Sequence, residues 1–353
     1  MRFSNTVSLV SGLVCVAFLS ACGVCTQQSV ENAEFSSISS AIPVHSPAAL
    51  TGAQALTGAQ SLGGPVVLDG RIAFDNMFNA KMGADGTTTT GVARGDFKLT
   101  IPMSDHVRAV LRMKLGENVR TGKVTPANFD GWLKEAYVEI RDVGGQPVAF
   151  IVGKYPIAFG AKVPYMPIPE NDPAWKLQHV EEVMGVTIAL GKTGFFDLIE
   201  VSGYENQPGD LTIGSFDGAS VRLTKQLSKE IVMRASALHA GNGSAASEDR
   251  GGVGFLYTSG EWSVWVDGAY LNGAKAYPNA HWYSVAGAKY GNAQQAVTVQ
   301  ATVIENALWE VGLAGEFQVA KNTYMIPEIR YRDRNGKDEI VGTLRLEYRF
   351  SIK

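Results

Sequence analysis

The C-terminal segment Thr343-Leu-Arg-Leu-Glu-Tyr-Arg-Phe350 alternates strictly between apolar and charged side chains. A period of two residues places the apolar side chains on one face of a β-strand and the charged side chains on the other. A water-soluble sheet could use this pattern with its apolar face inward. The pattern recurs along the chain with hardly any helical periodicity, so it favours a membrane β-barrel with a wet interior and an apolar exterior.

Alternating segments of about ten residues follow one another from Pro65 to the C-terminus, and this length crosses a bilayer when the strand is tilted. Clear examples are residues 94–101, 107–114, 135–141 and 309–319. We count about sixteen such segments, with an error of about two either way. The sequence therefore predicts an all-β fold, a transmembrane antiparallel β-barrel of about 14 to 18 strands.

Long and short connections between these segments alternate over most of the predicted barrel. The long connections are residues 81–91, 116–130, 156–182, 205–215, 241–250 and 272–280. Short turns such as 103–105, 143–145, 191–194 and 227–229 separate them. The alternation is expected of long extracellular loops and short periplasmic turns, and it weakens at 305–308 and 333–337.

The overall composition excludes two classes of protein. The net charge is −3 and no run of Lys or Arg exists, which argues against a nucleic-acid partner. A mean hydropathy near zero excludes a helical membrane protein and suits a barrel whose two faces cancel. The segment from Pro65 onward contains no Cys, so it offers neither disulfides nor thiolate chemistry.

The N-terminal residues predict export. Residues 1–21 have a basic Arg2 and an apolar core from Val7 to Leu19, as in a signal peptide. Leu19-Ser-Ala-Cys22 resembles a bacterial lipobox, which implies that Cys22 is lipidated; the alternative is an ordinary signal peptide. Residues 22–64 are rich in Ser, Ala, Gly and Gln and predict a flexible periplasmic linker, with a short plug or peptidoglycan-contacting arm as the alternative. Residues 65–353 form the predicted barrel.

Parity along the strands places charged side chains of both signs on the inner face. The candidate pore-lining residues are Arg94, Lys98, Arg108, Arg112, Lys114, Glu135, Glu139, Arg141, Arg330, Arg345, Glu347 and Arg349. The same parity places Arg222 and Arg234 inward. Because cations outnumber acids, we expect a mild anion bias. The alternative is that the charges pair across strands and only stabilise the wall.

The longest connection, residues 156–182, is the third of the long connections. It contains five prolines, which fix backbone angles and discourage regular structure. We expect it to fold into the lumen and constrict it, whereas an exposed surface loop is the alternative. The candidate charges at the narrowest point are Glu170, Asp172, Lys176, Glu181 and Glu182.

Aromatic residues near predicted strand ends are expected to form girdles at the two bilayer interfaces. They are Trp132, Trp262, Trp282, Tyr283, Tyr290, Trp309, Tyr324 and Tyr348. A sugar-stacking track is the alternative, and it requires aromatic rings that face inward. By parity, Trp265 and Tyr137 are the candidates for that role.

Two stretches resemble Gram-negative outer-membrane porins. Glu135-Ala-Tyr-Val-Glu139 followed by Gly153-Lys-Tyr-Pro-Ile-Ala-Phe-Gly160 is similar to the strand pair before the third loop of substrate-class porins, including the phosphate-selective type. Tyr348-Arg-Phe350 resembles the signal read by the barrel-assembly machinery, although Ser351-Ile-Lys353 follow it. The resemblance implies a homotrimeric sixteen-strand channel whose third loop folds inward.

No pattern in the chain predicts catalysis, a cofactor or a metal site. Gly191-Lys-Thr193 lacks the spacing of a phosphate-binding loop, the five His residues are scattered, and no G-x-S-x-G occurs. We expect no cofactor, and a porin in outer-membrane lipid for passive diffusion of small hydrophilic solutes or ions. The alternatives are a structural or adhesive lipidated barrel with little conductance, and an enzyme that uses His106 or His239.

Overall fold

The structure is a computed structural model that describes residues 64–81, 87–115, 133–157, 159–178, 182–205, 216–241, 247–274, 277–334 and 336–353. The predictions for the signal peptide, the linker, Cys22 and Glu181 lie outside these residues. The side chains of Glu170, Lys176 and Glu182 also lie outside what the structure describes.

Sixteen antiparallel strands form a closed barrel in which each strand pairs with its neighbours in sequence and β1 pairs with β16. The strands are β1 Val67–Lys81, β2 Thr87–Pro102, β3 Val107–Leu115, β4 Leu133–Ile140, β5 Val148–Pro156, β6 Glu182–Thr193, β7 Phe196–Tyr204, β8 Gly218–Gln226, β9 Ile231–Ala240, β10 Glu248–Ser259, β11 Trp262–Asn272, β12 Trp282–Gly291, β13 Gln295–Ile304, β14 Leu308–Ala320, β15 Thr323–Arg334 and β16 Asp338–Ile352. This confirms the predicted all-β barrel of about sixteen strands.

In the part of the chain that the structure describes, helical structure occurs only in connections. The helix α1 spans Pro173–Gln178, and single 3-10 turns span Val143–Gly145 and Pro169–Asn171. Within the described ranges, no helix has the length and apolar character needed to cross a membrane.

The seam between β1 and β16 closes the barrel and leaves no sheet edge. The register runs from Leu68 opposite Ile352 to Lys81 opposite Glu339. Two glycines receive phenyl rings from directly opposite positions: Phe350 lies over Gly70, and Phe78 lies over Gly342. A Cβ at either glycine would clash with the ring, so both positions require glycine. Because the strand number is even, the described chain starts and finishes at one end of the barrel, which we call the terminus end; the opposite end is the loop end.

The outer surface is apolar along the strands. On β1 and β16, Phe74, Leu344 and Leu346 point outward and are about half exposed. On β11, outward Trp262 lies near the terminus end and outward Tyr270 near the loop end. The eight residue steps from one to the other span roughly 26 Å of strand, close to the height of the apolar band of a membrane barrel.

Aromatic pairs extend both girdles. Trp262 contacts Tyr290 at the terminus end with ring centroids 4.8 Å apart, and Trp309 contacts Tyr331 at the loop end with centroids 5.1 Å apart. Tyr283, in contrast to the prediction, points inward and is 2% exposed. Tyr324 also points inward, where the guanidinium of Arg349 lies 4.1 Å from its ring centroid.

Candidate functional site

The inner face of the barrel has an ionic part and a largely neutral part. Charged side chains line β1 to β4 and β14 to β16, as the alternation in the sequence indicates. On β11 and β12, by contrast, Trp265, Leu271 and Tyr283 point inward and are almost fully buried. Parity placed Trp265 on the inner face, but the assumption that inward positions are polar fails for this part of the wall.

Ion pairs connect much of the ionic part of the wall into a network. The chain of pairs from β4 to β12 runs Glu135–Arg112–Asp96–Arg71–Glu347–Arg349–Glu316–Lys289. Its nitrogen–oxygen distances range from 2.6 Å for Arg349–Glu347 to 3.8 Å for Arg71–Glu347. Each carboxylate that lies between two cations binds both, so the network holds neighbouring strands in register.

All the arginines among the candidate pore-lining residues have carboxylate partners. Arg94 and Arg345 share Asp75, Arg108 and Arg141 share Glu139, Arg112 joins Asp96 to Glu135, Arg330 joins Glu310 to Glu328, and Arg349 joins Glu316 to Glu347. Lys98 and Lys114 lie half-buried on β2 and β3. Cross-strand pairing, which the sequence left open as an alternative, therefore accounts for most of these charges.

The two members of a pair differ in their exposure to the lumen. The side chain of Arg94 is 34% exposed and that of its partner Asp75 is 1% exposed. The values are 28% for Arg108 against 8% for Glu139. Arginine is the longer side chain, so its guanidinium reaches further from the wall than the carboxylate below it. In these two pairs the guanidinium is therefore the member that is more exposed to the lumen.

Two other arginines are not more exposed than their carboxylate partners, because they are completely buried. Arg345 makes a bidentate contact with Asp75, with Nε–Oδ1 2.6 Å and Nη2–Oδ2 2.9 Å. Arg330 donates to Glu328 and Glu310 at 2.8 and 2.7 Å. Both side chains are 0% exposed, so they stabilise the wall rather than meet the lumen.

The connection between β5 and β6, residues 157–181, contacts the neutral part of the wall. Its side chains form one apolar cluster with inward residues of β11 to β14. From the connection come Ala161, Val163, Tyr165, Ala174 and Leu177, and from the wall come Trp265, Ala269, Leu271, Tyr283, Val285, Ile304 and Leu308. Leu177 is 0% exposed, and burial of such a side chain contributes about 2 kcal/mol.

A second apolar cluster lies where this connection leaves β5. Ile157 and Phe159 pack there among inward residues of β3 to β9, including Tyr137 and Tyr204. Tyr137 and Trp265 thus face inward as parity predicts, but they are only 4% and 2% exposed. Protein covers both rings, which leaves no stacking face for a sugar at either residue.

Hydrogen bonds anchor the same connection to strands far apart around the barrel. Asp172 is completely buried and accepts from Gln300 Nε2 at 2.6 Å and from the backbone N–H of Ala174 at 2.9 Å. The side chain of Asn171 donates to Thr343 at 3.1 Å. Gln178 bonds to Asp267, which also accepts from Tyr283. Asp172 therefore anchors the connection instead of presenting a charge to the lumen.

One charged residue of this connection was missed by the sequence analysis. Lys162 is partly exposed and interacts electrostatically with Arg222 and Arg234 of the wall. The preceding carbonyl, that of Ala161, accepts from Arg234 Nη1 at 2.6 Å. Because the connection has no regular periodicity, no sequence pattern could have indicated which way Lys162 points.

Arg71 and Asp75 were also absent from the candidate residues, although a signal for them existed. They alternate with outward Ile72 and Phe74 on β1, in the same period of two that identified the other strands.

The two histidines considered for catalysis lie at opposite ends of the barrel. His106 is in an exposed turn at the terminus end, 3.5 Å from Asp142. His239 lies on the outer face near the loop end, where its Nδ1 is 2.7 Å from Asp249 Oδ1. They cannot belong to one site. In the described ranges, no three His, Cys, Asp or Glu residues are grouped so that they could hold a metal ion.

The solved structures that resemble this chain include porins. Pseudomonas putida OprB, determined at high pH, superposes with a TM-score of 0.58 and 10% identity over 81% of this chain and 94% of that one. Two substituted forms of the Rhodobacter blastica porin give TM-scores of 0.55 and 0.51 at 14% and 13% identity, over 81% of this chain and 100% of theirs. No protein-family model and no curated protein matches the sequence. The resemblance to Gram-negative porins is thereby confirmed at the level of the fold.

Proposed function

We propose that this chain is an outer-membrane porin that admits small hydrophilic solutes by passive diffusion, with a mild preference for anions, and that it is not an enzyme. The observation that carries the proposal is a sixteen-strand barrel with an apolar outer band and a partly ionic inner wall. A barrel of this strand number is too wide for its wall side chains to fill. Charged side chains that remain partly exposed inside it favour water there.

The β5–β6 connection is proposed to constrict the passage. Its contacts with β9, β11, β13 and β16 support a position across the lumen. This position leaves the passage beside β1 to β4, where Arg94, Arg108 and Arg112 are the most exposed members of their ion pairs. Solutes would then pass between the connection and a wall of guanidinium groups.

The anion preference is proposed to come from the different exposure of the two members of an ion pair, because the guanidinium lies nearer to the passage than the carboxylate does. A permeating ion meets the guanidinium before the carboxylate, and the field of each pair points its positive end at the passage. The effect is mild, because the buried carboxylate cancels much of the charge at a distance. Guanidinium N–H groups that the carboxylates leave unused can also bind hydroxyl and carboxylate oxygens of solutes.

Conductance of the purified protein in planar lipid bilayers tests the proposal. We expect step-like current increases. In a KCl gradient, we expect a reversal potential with the sign of an anion-selective channel. A barrel that served only adhesion or structure would give little conductance, and a clear cation preference would contradict the proposed role of the guanidinium groups.

Replacing both Arg94 and Arg108 by glutamine is expected to reduce the chloride-to-potassium permeability ratio by roughly twofold, because two wetted positive groups are lost while their carboxylates remain. The reversal potential measures this change. Lys229→Gln, in an exposed turn at the terminus end, serves as the control for loss of a positive charge away from the wall. An equal change in the control would show that total charge, not the inner wall, sets the selectivity.

A homotrimer is the proposed assembly, on the basis of the family resemblance and fold. Cross-linking of the protein in detergent, followed by denaturing electrophoresis, would reveal a product with three times the mass of one chain. A single-chain product alone would exclude it.

A further inference from the structure

Three cations converge where the β5–β6 connection meets β8 and β9. Arg222 and Arg234 lie on the inner face of these neighbouring strands, with Arg222 opposite Ser236 and therefore one inward position from Arg234. Lys162 is held beside them, because the carbonyl of Ala161 accepts from Arg234. Arg222 and Arg234 act electrostatically on Lys162, and Arg222 acts on Arg234.

The carboxylates that reach this place do not balance the three cations. Glu200 accepts from Arg222 Nε at 2.6 Å and is thus already paired. Glu135 acts on Lys162 from β4, but it is 2.7 Å from Arg112 Nη1. Among the described residues, neither Lys162 nor Arg234 forms an ion pair. Glu200 also acts electrostatically on Lys162 and Arg234, so three cations share it. Cations that outnumber their counter-charges repel one another, so the arrangement favours the presence of an anion.

Hydrogen-bond donors remain unused at the same place. Arg222 is 2% exposed, and its Nη1 makes no hydrogen bond within the described structure. Arg234 uses one N–H group on the carbonyl of Ala161, and an ammonium such as that of Lys162 carries three donors. Planar guanidinium groups beside an ammonium match the oxygens of a carboxylate or a phosphate.

The backbone around Lys162 adopts an uncommon conformation. Its φ is +49°, and Gly160 and Tyr165 also have positive φ, at +72° and +54°. A positive φ is strained for lysine and tyrosine. The N–H of Gly160 donates to Ser236 Oγ at 3.0 Å, which fixes this turn against β9. The turn thus fixes the backbone next to Lys162 against β9 despite the strain.

We propose that Lys162, Arg234 and Arg222 form a binding subsite for one oxyanion group, a carboxylate or a phosphate, beside the constriction. The proposal rests on the water-filled passage of the proposed function and deepens it: the pore binds anions at a defined place rather than only attracting them. Such a subsite makes anion flux saturable.

Block of the chloride current by inorganic phosphate or acetate tests the subsite in planar bilayers. We expect a saturable decrease in chloride current for the full-length protein at constant ionic strength, with the more effective anion identifying the preferred oxyanion. Lys162→Met should raise the half-blocking concentration about tenfold, as expected from the loss of one charge-assisted contact. Lys229→Met is the matched control and should leave it unchanged. A linear dependence on anion concentration, or equal block of Lys162→Met and the unmodified protein, would overturn the proposal.

Phosphorus NMR of inorganic phosphate with the detergent-solubilised protein separates this proposal from the proposed function, because it requires no conduction. Line broadening that disappears in Lys162→Met supports the subsite even if the protein does not conduct. Conduction without any such broadening or block would contradict the subsite but not the porin function. Arg234→Gln provides a second variant, and it should reduce the broadening as well.

Block by acetate is also expected to depend on pH. Burial, with the neighbouring Arg222 and Arg234, lowers the pKa of Lys162 to about 7, while Glu200 and Glu135 oppose this shift. Lys162 is therefore charged below this pH and largely neutral above it, and acetate keeps its charge throughout. Block should be stronger at about pH 6 than at about pH 9, and Lys162→Arg should remove most of the difference. An unchanged pH dependence in Lys162→Arg would exclude Lys162 as its origin.

Discussion

Arg345→Met is expected to destabilise the barrel by about 3–5 kcal/mol, the largest effect of a single substitution that we foresee. Arg345 lies directly opposite Asp75 across the seam between β1 and β16, and both side chains are almost completely buried. Among the described residues, the substitution leaves the carboxylate of Asp75 with only the contact from Arg94, at 3.0 Å. An incompletely paired charge at the seam that closes the barrel weakens the contact on which closure depends.

Denaturant unfolding in detergent micelles, followed by tryptophan fluorescence, measures this effect. Arg141→Met is the control: its side chain is 25% exposed, and Glu139 retains Arg108 as a partner. The control should change the free energy of unfolding by less than about 1 kcal/mol. Removing both charges, with Arg345→Met and Asp75→Leu, should recover a large part of the lost stability. Equal effects of Arg345→Met and Arg141→Met would contradict the argument.

Replacing residues 161–178 by a short Gly-Ser link is expected to increase the single-channel conductance at least about twofold. The resistance of an aqueous pore is concentrated at its narrowest section, and these residues are proposed to form that section. Single-channel recording in KCl measures the change. Replacing the exposed turn Leu227–Glu230 by glycine and serine is the control. It should leave the conductance unchanged, because, among the described residues, this turn forms no backbone hydrogen bond with the β5–β6 connection.

The loop replacement also uncovers apolar wall residues such as Trp265 and Leu271, so a milder variant is needed. Asp172→Ala keeps the apolar contacts but removes the acceptor of Gln300 and of the helix α1 backbone. We expect this variant to fold and to show a broader distribution of conductance levels, because the connection is less firmly held. Unchanged conductance in both variants would mean that the connection does not limit the current.

Much of the fold follows from the sequence because its signal is local. In β16, alternate residues from Leu344 to Phe350 face outward and those from Arg345 to Arg349 face inward, as their period of two predicts. The position and length of the β5–β6 connection were equally evident from the interruption of this period. Prediction was poorer for the inner wall. Tyr283 and Val285 face inward although they are aromatic or apolar, because the β5–β6 connection covers them there, and the alternation within a strand carries no information on that cover.

The sequence analysis likewise could not predict which charged residues form ion pairs with each other. Arg345 and Asp75 are 270 positions apart in the chain, and a period of two says which face each occupies but not which strand lies opposite. The direction of Lys162 depends on the turn at Gly160 and on its bond to Ser236, which no repeat in the sequence indicates.

The sequence by itself determined the class of fold, the approximate number of strands and the side on which most strand residues lie, because each depends on alternation within a few neighbouring residues. Only the tertiary structure decided which charges neutralise each other, which of them remain exposed to the lumen and which part of the wall the β5–β6 connection covers. These properties depend on strand register and on the path of an irregular segment, and both arise from contacts between residues far apart in the chain.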